Sequence, residues 1–189
     1  MSVLDHQWII AFDATVDRWA DRLRGRPLLD RGFYALTAAG DHGMAWHVVG
    51  ALRAVTGRDS WRSGVELSAG LGVEAALVNG PMKWCFRRIR PEAATPRPHR
   101  LRTPSTSSFP SGHASAGMFA AVLLARTSRH RWVWFVLGGL IGWSRVHVQI
   151  HHPSDVIGGA VVGLALGAAG CRVLDSPKGR ALGSVRSTP

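Results

Sequence analysis

The feature that most limits what this chain can become is a succession of five mostly apolar stretches, at residues 33–55, 63–84, 110–126, 131–149 and 154–174. Their apolar spacing predicts helices. None is an unbroken apolar run of about 18 residues, so hydropathy alone does not establish a membrane span. The most continuous runs, Trp132 to Trp143 and Val156 to Cys171, carry no charged side chain. Glycine and alanine recur at close intervals, as in Gly138-Gly139, Gly158-Gly159-Ala160 and the run from Gly163 to Ala168. Small residues let helix backbones approach where little hydrophobic force drives them together, as inside a bilayer. Five such helices in 189 residues cannot all be buried against one another, which favours lipid over a soluble bundle. The expected fold is therefore all-α: a membrane helical bundle of about five transmembrane helices, with a further helix ahead of them.

That further helix is amphipathic. Over residues 3–23, Val3, Leu4, Trp8, Ile9, Phe12, Val16, Trp19 and Leu23 share one side, while Asp5, Asp13, Asp17, Arg18, Asp21 and Arg22 take the other. It is too charged to span and suits the bilayer interface. The first apolar run is short and lacks a small-residue cleavage site, so no cleavable signal peptide is expected. The division is then residues 1–31 for this helix, 32–175 for a single membrane-embedded core, and 176–189 for a flexible tail. Glu66 and Glu74 fall near one face of the second apolar helix and are expected to pack within the bundle. Cys85 and Cys171, without metal or disulfide spacing, are expected to be small buried hydrophobes.

A formal net charge of +11 raises the question of nucleic acid. A single Tyr, no nucleic-acid module, and short basic clusters between apolar segments point instead to phosphate and anionic lipid. Arginines and lysines divide evenly between the two ends of the bundle, so no orientation follows. The long linker, residues 87–108, is rich in Arg, Ser and Thr, and Pro91, Pro96, Pro98 and Pro104 exclude a continuous helix there.

Three clusters place phosphate-binding or proton-transferring side chains at ends of apolar helices. The first runs from Lys83 to Arg90-Pro91. The second is Pro110-Ser111-Gly112-His113. The third joins Ser144-Arg145 to His151 and Asp155. Pro110 suits a first helical turn, where the N–H groups of Ser111 and Gly112 would face an anion and His113 could protonate a leaving oxygen. Pro153 marks another helix start, with His151 just before it and Asp155 in its first turn. There a carboxylate can fix the imidazole tautomer and leave the second nitrogen to attack phosphorus. Lys83, Arg90 and Arg145 supply positive charge for the phosphoryl oxygens. A competing arrangement takes His147, His151 and Asp155 as a metal site, but Pro153 breaks the helix that would align them and three cations nearby would repel a metal. His147 and His152 then read as neighbours shaping the pocket; to His42 and His47 the sequence assigns no role.

In this order the clusters resemble the signature of the type 2 phosphatidic acid phosphatase superfamily: a Lys with six residues before Arg-Pro, a Pro-Ser-Gly-His, and a Ser-Arg with five residues before His and three more before Asp. Every position is filled here. The resemblance implies a helical bundle whose motifs meet at one membrane face, with His151 as nucleophile, Asp155 orienting it and His113 protonating the leaving group. Lys83, Arg90, Ser111, Gly112 and Arg145 would hold the phosphate, without metal or other cofactor. The expected activity is hydrolysis of a phosphomonoester or pyrophosphate on a membrane lipid, phosphatidate-like or polyprenyl, through a phosphohistidine, in an integral protein of a bacterial cell membrane. Alternatives are a vanadate-dependent haloperoxidase-like enzyme and a non-catalytic binder of lipid headgroups, the latter disfavoured because both histidines are present.

Overall fold

A computed structural model describes residues 4, 6–93, 97–99, 101 and 103–176. The expected tail beyond Ser176 lies outside these residues, as do Val3, Asp5 and Pro96. The described secondary structure is helical throughout: α1 (Gln7–Asp21), α2 (Pro27–Gly40), α3 (Met44–Val55), α4 (Trp61–Leu77), the short α5 (Lys83–Phe86), α6 (Gly112–Ala125), α7 (Trp132–His147) and α8 (Pro153–Asp175). Pro27 and Pro153 open α2 and α8, where a missing N–H costs nothing, and the Ser60 hydroxyl accepts from Ser63 N to cap α4.

Two expected helices are interrupted. Residues 33–55 do not form one helix, because the chain turns at Asp41–Gly43, where His42 and Gly43 take φ of 53° and 70°. Residues 63–84 pass through a π-turn at Val78–Met82, where Pro81 cannot donate to the helical ladder. Both breaks face the same cavity, described below.

The tightest packing joins α6 to α7 and α8. Gly117 and Gly138 cross so closely that a Cβ on either would stand about 3 Å from the other's backbone. On α8, Gly159, Gly163 and Gly167 form the buried stripe against α6, and a Cβ at Gly163 would lie 2.1 Å from the Ser115 carbonyl oxygen. Trp46, Leu67, Leu71, Phe119, Leu123, Leu124 and Ile141 make the apolar core alongside.

Large apolar side chains meanwhile cover the outside: Trp61, Val55, Val73, Trp132 and Val161 are all exposed. Among the described residues α8 is the helix both long and apolar enough to cross a bilayer, while α6 is apolar but shorter. The two sides of α1 do not divide as in a soluble surface helix. Asp13 is buried against the protein, whereas Trp8 and Trp19 are 68% and 60% exposed. Cys85 is exposed, contrary to expectation, because α5 turns outward with Trp84 and Phe86 after the π-turn. Cys171 is half-buried.

Candidate active site

Six of the eight expected site residues line one cavity of about 410 Å³: Lys83, Arg90, Gly112, His113, Arg145 and His151. Ser111 and Asp155, both buried, stand behind it. The π-turn ends at Lys83 and buries it, and Arg145 comes from the last turn of α7, 1% exposed. Arg90 reaches in from the linker, where its guanidinium donates to the carbonyls of Thr106, Ser107 and Ile150.

His151 follows a tight turn after α7, with Gln149 at φ 55°. Three guanidinium groups hold this turn by its carbonyl oxygens: Arg24 takes Val146 and His147, Arg97 takes Val148 and Gln149, and Arg90 takes Ile150. The helix C-terminal oxygens are thereby satisfied.

Arg90 Nη1 also lies 3.1 Å from His151 Nε2. A guanidinium can only donate, so Nε2 is the accepting nitrogen and the proton of the neutral ring sits on Nδ1. Nδ1 lies 3.5 Å from Asp155 Oδ2, long for a hydrogen bond, as catalytic pairs without substrate often are. Asp155 Oδ2 takes the His152 N–H at 2.8 Å, which caps α8. Burial, with the charges of Arg145 and Arg90, pushes the His151 imidazole down to about 3 against the pull of Asp155, so the ring is neutral at ordinary pH.

His113 Nε2 is 3.0 Å from the Thr37 carbonyl oxygen and 3.2 Å from Asp41 Oδ1, so Nε2 carries a proton. The hydrogen bond from His113 holds the Asp41 carboxyl below its ordinary range. The ring edge lies against Gly40, where a Cβ would come within 2.6 Å of it.

Ser111 differs in detail from expectation. The helix begins at Gly112, two residues after Pro110, and the Ser111 N–H donates to the Asp155 carbonyl at 3.0 Å instead of remaining free. Its hydroxyl is buried without a partner among the described residues, as is Arg145 Nε. Unpartnered buried donors are costly, and an oxyanion among them would satisfy both.

The competing metal triad does not gather, because His147 Nε2 turns away to Asp30 at 2.8 Å. His147 lines a different cavity, and His152 faces the Ile89 carbonyl. His47 finds Ser68 at 3.0 Å. Glu74 is buried on the wall of the 410 Å³ cavity, whereas Glu66 pairs with Arg62 nearer the surface. The residues that sequence reasoning passed over are Thr37, Asp41, Arg24, Arg97, Arg88 and Asp13. All but Asp13 lie in turns, the linker or the last turn of a helix. Only the excess of arginine around those breaks could have drawn attention to them.

Comparison with known proteins bears on the family and the fold. The family model described as PAP2 superfamily matches residues 64–176. Decaprenylphosphoryl-5-phosphoribose phosphatase of Mycolicibacterium smegmatis is 36% identical over 139 residues, 72% of this chain and 74% of that protein. Among solved structures, Aquifex aeolicus LpxE superposes with a TM-score of 0.72 at 23% identity, covering 91% of this chain and 99% of that one. A transmembrane PAP2 type phosphatidylglycerolphosphate phosphatase from Bacillus subtilis gives 0.68 at 24% identity, covering 98% and 92%. The last two establish a shared fold, and with the family match over more than half its length, this chain belongs to the PAP2 superfamily.

Proposed function

We propose that the protein is a metal-independent lipid phosphate phosphatase of a bacterial cell membrane, working through a phosphohistidine. The observation that carries this is the aim of His151: its accepting nitrogen faces Arg90 in the cavity that also holds Lys83 and Arg145. A phosphoryl group held there by the three cations, the Ser111 hydroxyl and the first-turn N–H groups of α6 would present phosphorus to Nε2. Nε2 attacks, the bond from phosphorus to the lipid oxygen breaks, and His113 gives that oxygen a proton. Asp155, still ionised, stabilises the positive charge that develops on the His151 ring. Water then attacks phosphorus, His113 accepts its proton, the P–N bond breaks and inorganic phosphate leaves. With His113 Nε2 held by Thr37 and Asp41, Nδ1 carries the proton in flight.

A lipid substrate is supported by a second cavity of about 1040 Å³ that shares Lys83, Arg90 and Asn79 with the first and is walled by Trp84, Ile89 and Pro104. The mycobacterial relative is named for a polyprenyl-linked sugar phosphate and the Bacillus protein for a glycerophospholipid phosphate. Both kinds belong in the test, which is phosphate release by the detergent-purified protein from polyprenyl phosphates, polyprenyl pyrophosphates, phosphatidate and phosphatidylglycerophosphate. Hydrolysis of at least one, unaffected by EDTA and blocked by vanadate, is expected. Activity lost to chelator and restored by Mg²⁺ or Zn²⁺ overturns the metal-free mechanism, and peroxide-dependent halogenation without phosphate release moves the chemistry to the haloperoxidases.

A further inference from the structure

Asp13 has no place in the chemistry above, yet it is 5% exposed in the middle of a helix that shows tryptophans to the outside. Its Oδ1 accepts from Ser154 N, and its Oδ2 from the Ser154 hydroxyl and from Arg88 Nη2, each at 2.7 Å. The other arm of the Arg88 fork, Nη1, donates to Asp155 Oδ1 at 2.6 Å and to the Ser154 hydroxyl at 2.7 Å. The second oxygen of Asp155 is the one that faces His151. A continuous chain therefore runs from α1 to the catalytic pair: carboxylate, guanidinium, carboxylate, imidazole.

The division of the fork is the informative feature. A guanidinium next to a single carboxylate prefers to engage both oxygens. Doing so here would place Arg88 on Asp155 Oδ2 in competition with His151. With one arm on Asp13, Arg88 occupies Oδ1 alone. Asp13 also fixes the Ser154 N–H, and hence the first turn of α8 that carries Asp155. Its burial under the outward-facing Trp8 and Trp19 means that whatever holds α1 at the bilayer surface also holds this clamp.

We propose that Asp13 is a positioning residue which, by taking one arm of Arg88 and anchoring the start of α8, keeps Asp155 Oδ2 available to orient His151. This rests on the reading of His151 as nucleophile. It also makes the N-terminal helix, which lies ahead of the family match, part of what sets the rate of attack.

The test uses the full-length protein in detergent with an aryl phosphate and with phosphatidate, and it begins with the wild type. No phosphate release by wild type from either of these, nor from the polyprenyl phosphates, polyprenyl pyrophosphates and phosphatidylglycerophosphate named above, takes down the phosphatase reading itself. Given wild-type turnover, Asp13→Asn is expected to lower kcat by about tenfold with KM changed less than about twofold, since Lys83, Arg90 and Arg145 still bind the phosphate. Arg88→Lys keeps the charge and removes the fork, so adding Asp13→Asn to it is expected to cost less than about twofold more. A wild-type kcat in Asp13→Asn, a change confined to KM, or an equal loss in the Arg88→Lys background overturns the inference while leaving the phosphatase reading intact. Should Asp13→Asn not be recovered folded, Ser154→Ala, lacking the hydroxyl shared by Asp13 and Arg88, is read in its place. A severalfold lower kcat at constant KM supports the clamp, and a wild-type kcat overturns it.

Discussion

Two histidine–aspartate pairs flank the turn that ends α7, His147 at the helix end and His151 just past the turn, and they face opposite ways. His147 meets Asp30 at 2.8 Å, packs on Phe33 with ring centroids 4.4 Å apart, and lines a cavity of about 450 Å³ with Arg24, Arg97 and Tyr34. His151 meets Asp155 at 3.5 Å and faces Lys83, Arg90, Arg145 and His113 across a cavity of similar size. By hydrogen-bond quality alone the first pair would be chosen as catalytic. Its arginines, however, donate to the carbonyls of residues 146–149 and serve to cap the turn. In the second cavity Arg145 Nε and the Ser111 hydroxyl are buried donors without partners among the described residues. His147 Nδ1 is also buried without a partner among the described residues. The second cavity, however, sets its unpartnered donors beside a histidine whose accepting nitrogen faces a phosphate-binding cation, and that combination marks chemistry.

The largest effect expected from this contrast separates the two histidines. His151→Ala should lower kcat by about a thousandfold or more, while thermal unfolding in detergent stays close to wild type. His147→Ala should do the reverse: it leaves Asp30 buried without its partner, a loss of about 3 kcal/mol in stability, while kcat in the folded protein stays within about fivefold. The contrast collapses if a folded His147→Ala protein is as inactive as His151→Ala.

The next effect is smaller and lies within the second cavity. His113→Ala should lower turnover of an alkyl phosphate by about a hundredfold, because proton donation contributes on that order. An aryl phosphate, whose phenolate departs unaided, should be hardly affected. Equal losses on the two substrates would remove His113 from the role of acid.

The site was legible before the structure because its parts lie at helix ends marked by proline and glycine. Pro153 located Asp155, and the Pro-Ser-Gly-His run located α6 to within two residues. The helical bundle was legible from glycine spacing, and Gly159, Gly163 and Gly167 form the stripe that meets α6. The interruptions were harder to see. The residues from Gly40 to Gly43 sit in an apolar stretch with helical spacing, and only the left-handed backbone at His42 and Gly43 ends the helix there. That break sets Asp41 beside His113, a tertiary neighbour no periodicity reveals. Likewise Asp13 reads as the solvated side of α1 until it is found buried while Trp8 and Trp19 face outward.

A more modest effect, about tenfold, follows from the neutrality of His151. Burial first, then the neighbouring arginines, holds its imidazole down to about 3, so the unfolded chain binds a proton that the folded site refuses between that value and the ordinary histidine value of about 6.5. Folding stability should therefore rise with pH across this window and level off above it. The kcat/KM of the free enzyme should retain its value at pH 5.5, where a histidine titrating near 6.5 would be about 90% protonated and the rate about tenfold lower. A descending acid limb centred near 6.5 on the aryl phosphate, where no acid is needed, would mean that His151 is not held neutral.

The smallest expected effect concerns Asp41, and it tests how far this carboxylate supports the protonated form of His113. Asp41 Oδ1 lies 3.2 Å from His113 Nε2, so its negative charge favours the imidazolium that must protonate the leaving group. The Asp41 side chain is 39% exposed, however, and water screens the pair. Asp41→Asn keeps a hydrogen-bond acceptor and removes the charge. The imidazolium form of His113 then loses part of its support, and the descending basic limb on an alkyl phosphate should move to lower pH by less than about one unit. The rate should drop by up to about fivefold on the alkaline side of that limb and little on its acid side. The aryl phosphate serves as control, because its rate should not follow that limb in either protein. A basic limb that stays in place would assign Asp41 to the turn between α2 and α3 alone, and His113 would owe its protonation to Thr37 and the bound phosphate instead.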